Sequence, residues 1–116
     1  MFEVVKRDGQ VTEFNLGKIN DAIAKAFDAT QMSYNDDIIG LLSLRVSAHF
    51  QDKIKDGKVS VEAIQDSVET VLEQTGYTEV AKAYILYRKQ REKMRNMKST
   101  ILDYKDVINS YVKVED

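Results

Sequence analysis

The sequence contains no cysteine, no proline, no tryptophan and a single histidine among its 116 residues. The absence of cysteine excludes disulfides and cysteine-ligated zinc or iron–sulfur sites, and it indicates a reducing environment. No stretch approaches the roughly 20 consecutive apolar residues of a membrane span, and no cationic segment followed by an apolar run marks a secretion signal. We therefore expect a cytoplasmic protein with no membrane partner.

Motifs of common catalytic and phosphate-binding sites are also missing. The sequence has no GxxxxGK[ST] phosphate loop, no GxGxxG, no HExxH and no GxSxG, and its five glycines stand singly. His49 lies amid apolar residues, which favours a structural role, and no nucleophile–base pair can be named. We therefore predict no catalytic residue and no metal-ligating residue in this chain.

Neither sign of charge dominates, because 17 Lys and Arg oppose 19 Asp and Glu for a net charge of −2. A general attraction to nucleic acid is therefore not expected, and any polyanion site must come from local clusters of cations. Such clusters occur at Lys6-Arg7, at Lys18, and in the run from Arg88 to Lys98. Each one singly is typical of a solvated surface or a helix C-terminus, but together they can meet one anion.

A β-hairpin is predicted at the N-terminus, because two β-prone runs flank Asp8-Gly9, the preferred central pair of a two-residue type I′ turn. This turn would set the strand pairing as Arg7 with Gln10, Val5 with Thr12, and Glu3 with Phe14. Lys58-Val59 is expected to add a short third strand.

Four helical runs follow, with apolar residues recurring at spacings of three and four. Asn15 is predicted to cap the first helix, which runs from Leu16 to about Asp28, and the second helix is predicted to start near Asn35 or Asp36. Ser60 is predicted to cap the third helix and Gly76 to end it, and the fourth helix is predicted to start at Thr78. The residues Ile101, Tyr104, Ile108 and Tyr111 predict a linker or short amphipathic helix after about Asn96. The predicted fold is α+β, a small N-terminal sheet capping a bundle of about four helices.

A nucleoside triphosphate can be held without a phosphate loop by several cations from different elements, together with a helix N-terminus. The base then needs an apolar slot, for which Val5, Ile19 and Val61 are suitable walls. Gln65, one turn after Val61, offers both a donor and an acceptor to a purine edge. The residues permit such a site without requiring it.

Three separated blocks carry a resemblance to a known family: VVKRDGQVTEFNLGKINDAIAKAF, VSVEAIQDSVETVL and EVAKAYILYRKQR. In this order they resemble the ATP-cone, the regulatory nucleotide-binding domain of ribonucleotide reductases and of the repressor controlling their genes. The resemblance covers about residues 2–95. It implies an ATP-cone domain at residues 1–96, with residues 97–116 leading to a catalytic domain that this chain does not contain.

The resemblance also implies roles for individual residues. Phosphate contacts are implied for Lys6, Arg7, Lys18, Arg88, Lys89 and Arg91. Adenine or ribose contacts are implied for Val5, Asn15, Ile19, Val61 and Gln65. Some relatives have histidine or threonine where this chain has Gln65 and Val61. Lys6 and Arg7 are expected to contribute unequally, because neighbouring strand residues point to opposite faces.

The implied function is that of an effector domain and not of an enzyme. ATP or dATP, with Mg²⁺ on the phosphates, would control the overall activity of a ribonucleotide reductase that converts ribonucleoside triphosphates to deoxyribonucleoside triphosphates. The implied partners are the catalytic domain of the same polypeptide and, through cone–cone contacts, a second copy.

Several alternatives are kept. The residues after Asn96 resemble the linker that follows the cone of anaerobic, glycyl-radical reductases, although the large subunits of aerobic reductases also start with a cone. The absence of a cysteine-built zinc ribbon argues against the repressor. Two hypotheses come from other classes of function. The first is nucleic-acid binding through the strip from Arg88 to Lys98, which the acidic net charge disfavours, and the second is a helical dimerisation module.

Overall fold

A computed structural model describes the backbone of residues 2–115 and the side chains of residues 2–98. In this part of the chain the strands are β1 (Glu3–Val5), β2 (Val11–Glu13) and β3 (Lys58–Ser60). The helices are α1 (Leu16–Thr30), α2 (Asp36–His49), α3 (Val61–Gln74) and α4 (Thr78–Glu115), and a short 3₁₀ helix, Gln51–Lys53, follows α2. A small N-terminal sheet followed by four helices confirms the predicted α+β fold.

The chain divides into two compact units, Met1–Ile85 and Leu86–Asp116. The first unit contains the sheet, α1 to α3 and the start of α4. The backbone of residues 97–115 belongs to the same helix, α4, as residues 78–96. The apolar positions predicted for this last segment, from Ile101 to Tyr111, lie outside the residues whose side chains are described. The predicted domain limits, 1–96 and 97–116, stay a prediction.

The central strand of the sheet is β1. It pairs antiparallel with β2 on one side and parallel with β3 on the other. In the parallel pair, Val4 lies beside Val59 and Val5 beside Ser60. The third strand predicted at Lys58-Val59 is therefore confirmed.

The predicted hairpin is present, but its loop and register were predicted wrongly. Val5 pairs with Val11, and Glu3 pairs with Glu13. The Lys6 amide donates to the Gln10 carbonyl at 2.7 Å, and the Gly9 amide donates to the Lys6 carbonyl at 3.0 Å. The loop therefore contains Arg7, Asp8 and Gly9, where the prediction had a two-residue loop of Asp8 and Gly9.

The sequence Asp-Gly fits both loops. Gly9 takes the left-handed conformation at φ 89°, while Asp8 does not, so the loop is not type I′. The Asp8 Oδ1 atom instead accepts a hydrogen bond from the Gln10 amide at 3.0 Å, which holds the longer loop. Because side chains alternate along a strand, this shift of one residue exchanges the two faces of β2 relative to β1.

The helix caps follow the local chemistry of the sequence. Side-chain oxygens of Asn15, Asn35 and Ser60 accept hydrogen bonds from the Gly17, Ile38 and Ala63 amides at 2.9, 2.9 and 3.1 Å. Each cap pairs an amide that would otherwise lack a partner in the first helical turn. The three predicted helix starts are confirmed, and Gly76 follows α3 with φ 88°.

A hydrophobic core in the first unit joins the sheet to all four helices. Its members include Val4, Val59, Ile19, Ile23, Phe27, Leu42, Val46, Val68, Leu72, Val80 and Tyr84. Two polar contacts cross it: the Ser43 hydroxyl donates to Asn20 Oδ1 between α2 and α1, and His49 Nδ1 lies 2.9 Å from Ser67 Oγ between α2 and α3. The Ser67 contact gives the single histidine a structural role.

Candidate functional site

The hairpin loop and the start of α3 meet at one edge of the sheet. Strands β1 and β3 are parallel, so their carboxyl ends lie at the same edge. The loop follows β1, and α3 begins immediately after β3. We call the set Lys6–Gln10 with Ser60–Gln65 the sheet edge. The amides and partial positive charge of a helix N-terminus favour anions at such a position.

Arg7 connects the two parts of the sheet edge. Its Nη2 atom donates to Gln65 Oε1 at 3.0 Å, across 58 positions of sequence. Its Nη1 atom lies 3.5 Å from Glu62 Oε1, and the two side chains are 32% and 41% exposed. A guanidinium carries five N–H donors, so these two contacts leave donors with which Arg7 can reach a ligand.

The other predicted phosphate contacts in the first unit are Lys6 and Lys18, and both are exposed. The backbone of Lys6 closes the hairpin loop. Lys18 lies in the first turn of α1, next to Ile19, which belongs to the core shared with Val4 and Ile64. These lysines are thus held by elements that pack on the same core as β1 and α3.

Asn15 has a structural contact as well as its predicted role towards a ligand. Its Oδ1 atom accepts one hydrogen bond from the Gly17 amide, which leaves the side-chain NH₂ group and the second lone pair of Oδ1 for a ribose or base. A Cβ added at position 17 would lie 3.0 Å from Asn15 Oδ1, a close contact that would require a small shift of the capping side chain.

The residues predicted to surround the base do not all lie on one face of the sheet. Val5 is half-buried and alternates with Val4, so it points away from the core. Ile19 is only 6% exposed within the core, and Val61 is half-buried at its margin. Val5 therefore lies outside the core that contains Ile19, and the base-binding role of each stays a prediction.

The remaining predicted phosphate contacts, Arg88, Lys89 and Arg91, belong to the second unit. Arg88 is half-buried there, whereas Lys89 and Arg91 are exposed. The Arg91 guanidinium carbon lies 5.9 Å from the centre of the Tyr87 ring, one helical turn earlier. That distance is within the range of a cation–π contact. The role of these three residues in phosphate binding stays a prediction.

Comparison with known proteins assigns the chain to a family. The family described as "ATP cone domain" matches residues 2–93. This chain belongs to the ATP-cone family. The family predicted from the three sequence blocks is therefore confirmed.

The relatives of this ATP cone include three kinds of ribonucleotide reductase. It is 43% identical over 101 residues to the vitamin B12-dependent ribonucleoside-diphosphate reductase of Thermoplasma acidophilum, covering 83% of this chain and 13% of that protein. It is 37% identical over 101 residues to the ribonucleoside-diphosphate reductase subunit alpha of Chlamydia trachomatis, covering 80% and 10%. It is 35% identical over 103 residues to the anaerobic ribonucleoside-triphosphate reductase of Haemophilus influenzae, covering 86% and 14%. The cone thus spans about a seventh or less of the length of these relatives.

Glu62 is the residue of the ATP cone's sheet edge that sequence reasoning missed. In the sequence it is an acidic residue in the first turn of α3, a position explained by the helix dipole alone. One signal was available, because Glu62 lies three residues before Gln65 and residues at that spacing share a helix face. A site built on Gln65 should therefore contain the Glu62 carboxylate as well.

Two further findings concern the part of this ATP cone that the structure describes. Among the side chains that the structure describes, no group of three or more histidine, aspartate or glutamate residues is arranged to hold a metal ion. Within the described part of the chain, no helix combines the length and apolar character needed to cross a membrane.

Proposed function

We propose that this ATP cone binds ATP and dATP at the sheet edge and that binding regulates the overall activity of a ribonucleotide reductase. The hydrogen bond from Arg7 to Gln65, 3.0 Å long, is the observation that supports this best. From the resemblance, Arg7 is a phosphate contact and Gln65 a base or ribose contact. A single site for one nucleotide requires these two residues to lie close together. The fold brings them into contact although they are 58 positions apart in the sequence.

The charges of the first unit suit a triphosphate. Lys6, Arg7 and Lys18 bring three cations from the hairpin loop and α1, and the N-terminus of α3 adds a partial positive charge. Cations paired with phosphate oxygens form strong, charge-assisted hydrogen bonds. In the proposal, Arg88, Lys89 and Arg91 are further phosphate contacts, and the base and ribose contacts are Val5, Asn15, Ile19, Val61 and Gln65.

Mg²⁺ accompanies the nucleotide in this proposal. Mg²⁺ in nucleotide sites is typically held by phosphate oxygens and water, with one or two protein carboxylates. No protein ligand is assigned to it here. Because the sequence offers no nucleophile–base pair, the cone is proposed to bind its effector without hydrolysing it.

Regulation requires that the two effectors favour different states of the reductase, since a ligand shifts an equilibrium only by its differential affinity for the two states. The proposed partners that distinguish those states are the catalytic domain of the same polypeptide and a second cone. We propose an anaerobic ribonucleoside-triphosphate reductase as the host, supported by the Haemophilus influenzae relative, which covers 86% of this chain. Vitamin B12-dependent reductases and subunit alpha are the alternative hosts.

The test is a calorimetric titration of ATP and of dATP into the chain and into its Lys18→Ala variant. We expect binding at sub-millimolar concentration and about a tenfold or greater loss of affinity in the variant. This loss follows from removing a hydrogen bond to a charged group, about 1.5–3 kcal/mol. Adenosine, which lacks phosphates, should lose less affinity than ATP.

Lys25→Ala is the matched control. Lys25 is an exposed lysine two turns further along α1, so its removal changes the net charge equally. Its affinity for ATP should stay within twofold of the unchanged chain. Equal losses in both variants, or no heat with the unchanged chain, would contradict the proposed site.

A further inference from the structure

Glu62 holds a cation that the proposed function assigns to the nucleotide phosphates. Its Oε1 atom lies 3.5 Å from Arg7 Nη1, and the other terminal nitrogen of the guanidinium, Nη2, contacts Gln65. Glu62 also lies in the first turn of α3, where its negative charge offsets the positive end of the helix dipole. One carboxylate thus neutralises two features that attract anions to the sheet edge.

Carboxylate and phosphate oxygens compete for the same donors. Both anions accept hydrogen bonds from the planar end of a guanidinium, and both are favoured near a helix N-terminus. Gln65 differs, because it is neutral and contacts the other terminal nitrogen, Nη2. An arriving phosphate can therefore leave the Gln65 contact in place, whereas it must share Arg7 with the Glu62 charge or replace it.

We infer that Glu62 is an internal counter-ion of Arg7, which the nucleotide phosphates displace, and that it thereby lowers the affinity of the sheet edge for phosphorylated ligands. This inference rests on the proposed function. It assigns to α3 a residue that sets the effector concentration at which the cone responds.

The size of the effect follows from exposure. The Arg7 and Glu62 side chains are 32% and 41% exposed, and their charged atoms are 3.5 Å apart. Exposed ion pairs of this kind are weak because solvent screens them. Removing the Glu62 charge should therefore raise the affinity for ATP by about two- to fivefold.

The experiment compares Glu62→Gln with Glu73→Gln in calorimetric titrations of ATP and adenosine at about 0.1 M salt. Glutamine keeps the shape of the side chain and removes only the charge. Glu73 is an exposed carboxylate on the same helix, about 16 Å further along it by the helical rise, which exceeds the Debye length at 0.1 M salt. We expect Glu62→Gln to bind ATP about two- to fivefold more tightly and adenosine unchanged, with no gain in Glu73→Gln.

The same substitution in an Arg7→Ala background tests whether Glu62 acts through Arg7. The gain from Glu62→Gln should then become much smaller, since there is no guanidinium to release and only the effect of Glu62 on the helix N-terminus remains. A gain of the same size in that background would overturn the inference, because it would mean simple repulsion between Glu62 and the ligand. Thermal unfolding of each variant reports any change in folding separately.

Three other outcomes would each contradict the inference about Glu62. Weaker ATP binding in Glu62→Gln would show that Glu62 positions Arg7 for the ligand, which contradicts the inference. Unchanged binding in Glu62→Gln with normal binding in the unchanged chain would overturn the inference and leave the proposed function standing. The absence of ATP binding in the unchanged chain would overturn both.

Discussion

The sheet edge and the basic end of α4 both contain predicted phosphate contacts, but the contacts that hold these cations differ between the two regions. At the sheet edge, Arg7 contacts Gln65 across 58 positions of sequence. In the second unit, Arg91 contacts Tyr87, one turn away on its own helix, and the side chains of residues 91–98 are all exposed. A contact between distant segments fixes a cation in three dimensions, whereas a contact within a helix fixes it only along that helix. The comparison shows why the number of cations in a region does not by itself make that region a candidate site.

The burial of leucine side chains also differs between the two units. The largest predicted effect tests this difference in burial. Leu72 in α3 is 0% exposed, whereas Leu86, the first residue of the second unit, is 57% exposed. Leu72→Ala should lower the free energy of unfolding by about 2–5 kcal/mol because it leaves a cavity in the core. Leu86→Ala should change it by less than about 0.5 kcal/mol.

Denaturant unfolding of the two leucine variants, followed by circular dichroism, measures both changes. A loss for Leu86→Ala comparable to that for Leu72→Ala would show that Leu86 is buried in solution. The contrast between the packed first unit and the exposed side chains of α4 would then be wrong.

A second, smaller effect separates the two basic regions by function. Arg7→Ala should weaken ATP binding by about tenfold, the value of one hydrogen bond to a charged group. Arg95→Ala removes an equal charge from the exposed part of α4 and should change the affinity by less than twofold. The measurement is calorimetry at two salt concentrations, because phosphate contacts made by cations weaken as salt is added. Similar losses of affinity in both variants would show that ATP binding depends on the overall charge of the chain and not on a specific site at Arg7.

The smallest expected effect comes from ending the chain after Asn96. The core of the first unit lies within residues 1–85, and the side chains of residues 91–98 are exposed. The shortened chain should therefore keep its melting temperature within about 2 °C, since the truncation removes no residue of that core. It should also keep its ATP affinity within twofold. A loss of folding or binding would contradict the predicted domain limits of 1–96.

Local chemistry made most of the first unit predictable from sequence. Asn15, Asn35 and Ser60 are good caps wherever a helix follows, and the structure uses all three. Lys58-Val59 was recognised as strand-forming, but its parallel pairing with β1 depends on the intervening fold.

The register of the hairpin was not predictable in the same way. Asp8-Gly9 is compatible with a two-residue loop and with the longer loop that the Gln10 amide and Asp8 Oδ1 stabilise. The predicted register would have placed Glu13 opposite Val4, whereas the structure places Thr12 there. Glu62 escaped prediction for a related reason. Its place in the first turn of α3 was fully explained by the helix dipole, and its partner Arg7 is brought near only by the parallel pairing of β1 and β3.

The most direct test of the central claim, that the sheet edge binds the nucleotide, is a nuclear magnetic resonance titration of the ¹⁵N-labelled chain with ATP. Amide resonances of Lys6–Gln10, of Ser60–Gln65 and of the first turn of α1 should shift most, with the same pattern for dATP. Exposed apolar residues Leu41 and Leu44 on α2 provide an internal reference, and their amides should move little. Shifts centred on Leu41 and Leu44, or none at millimolar ATP, would contradict the account.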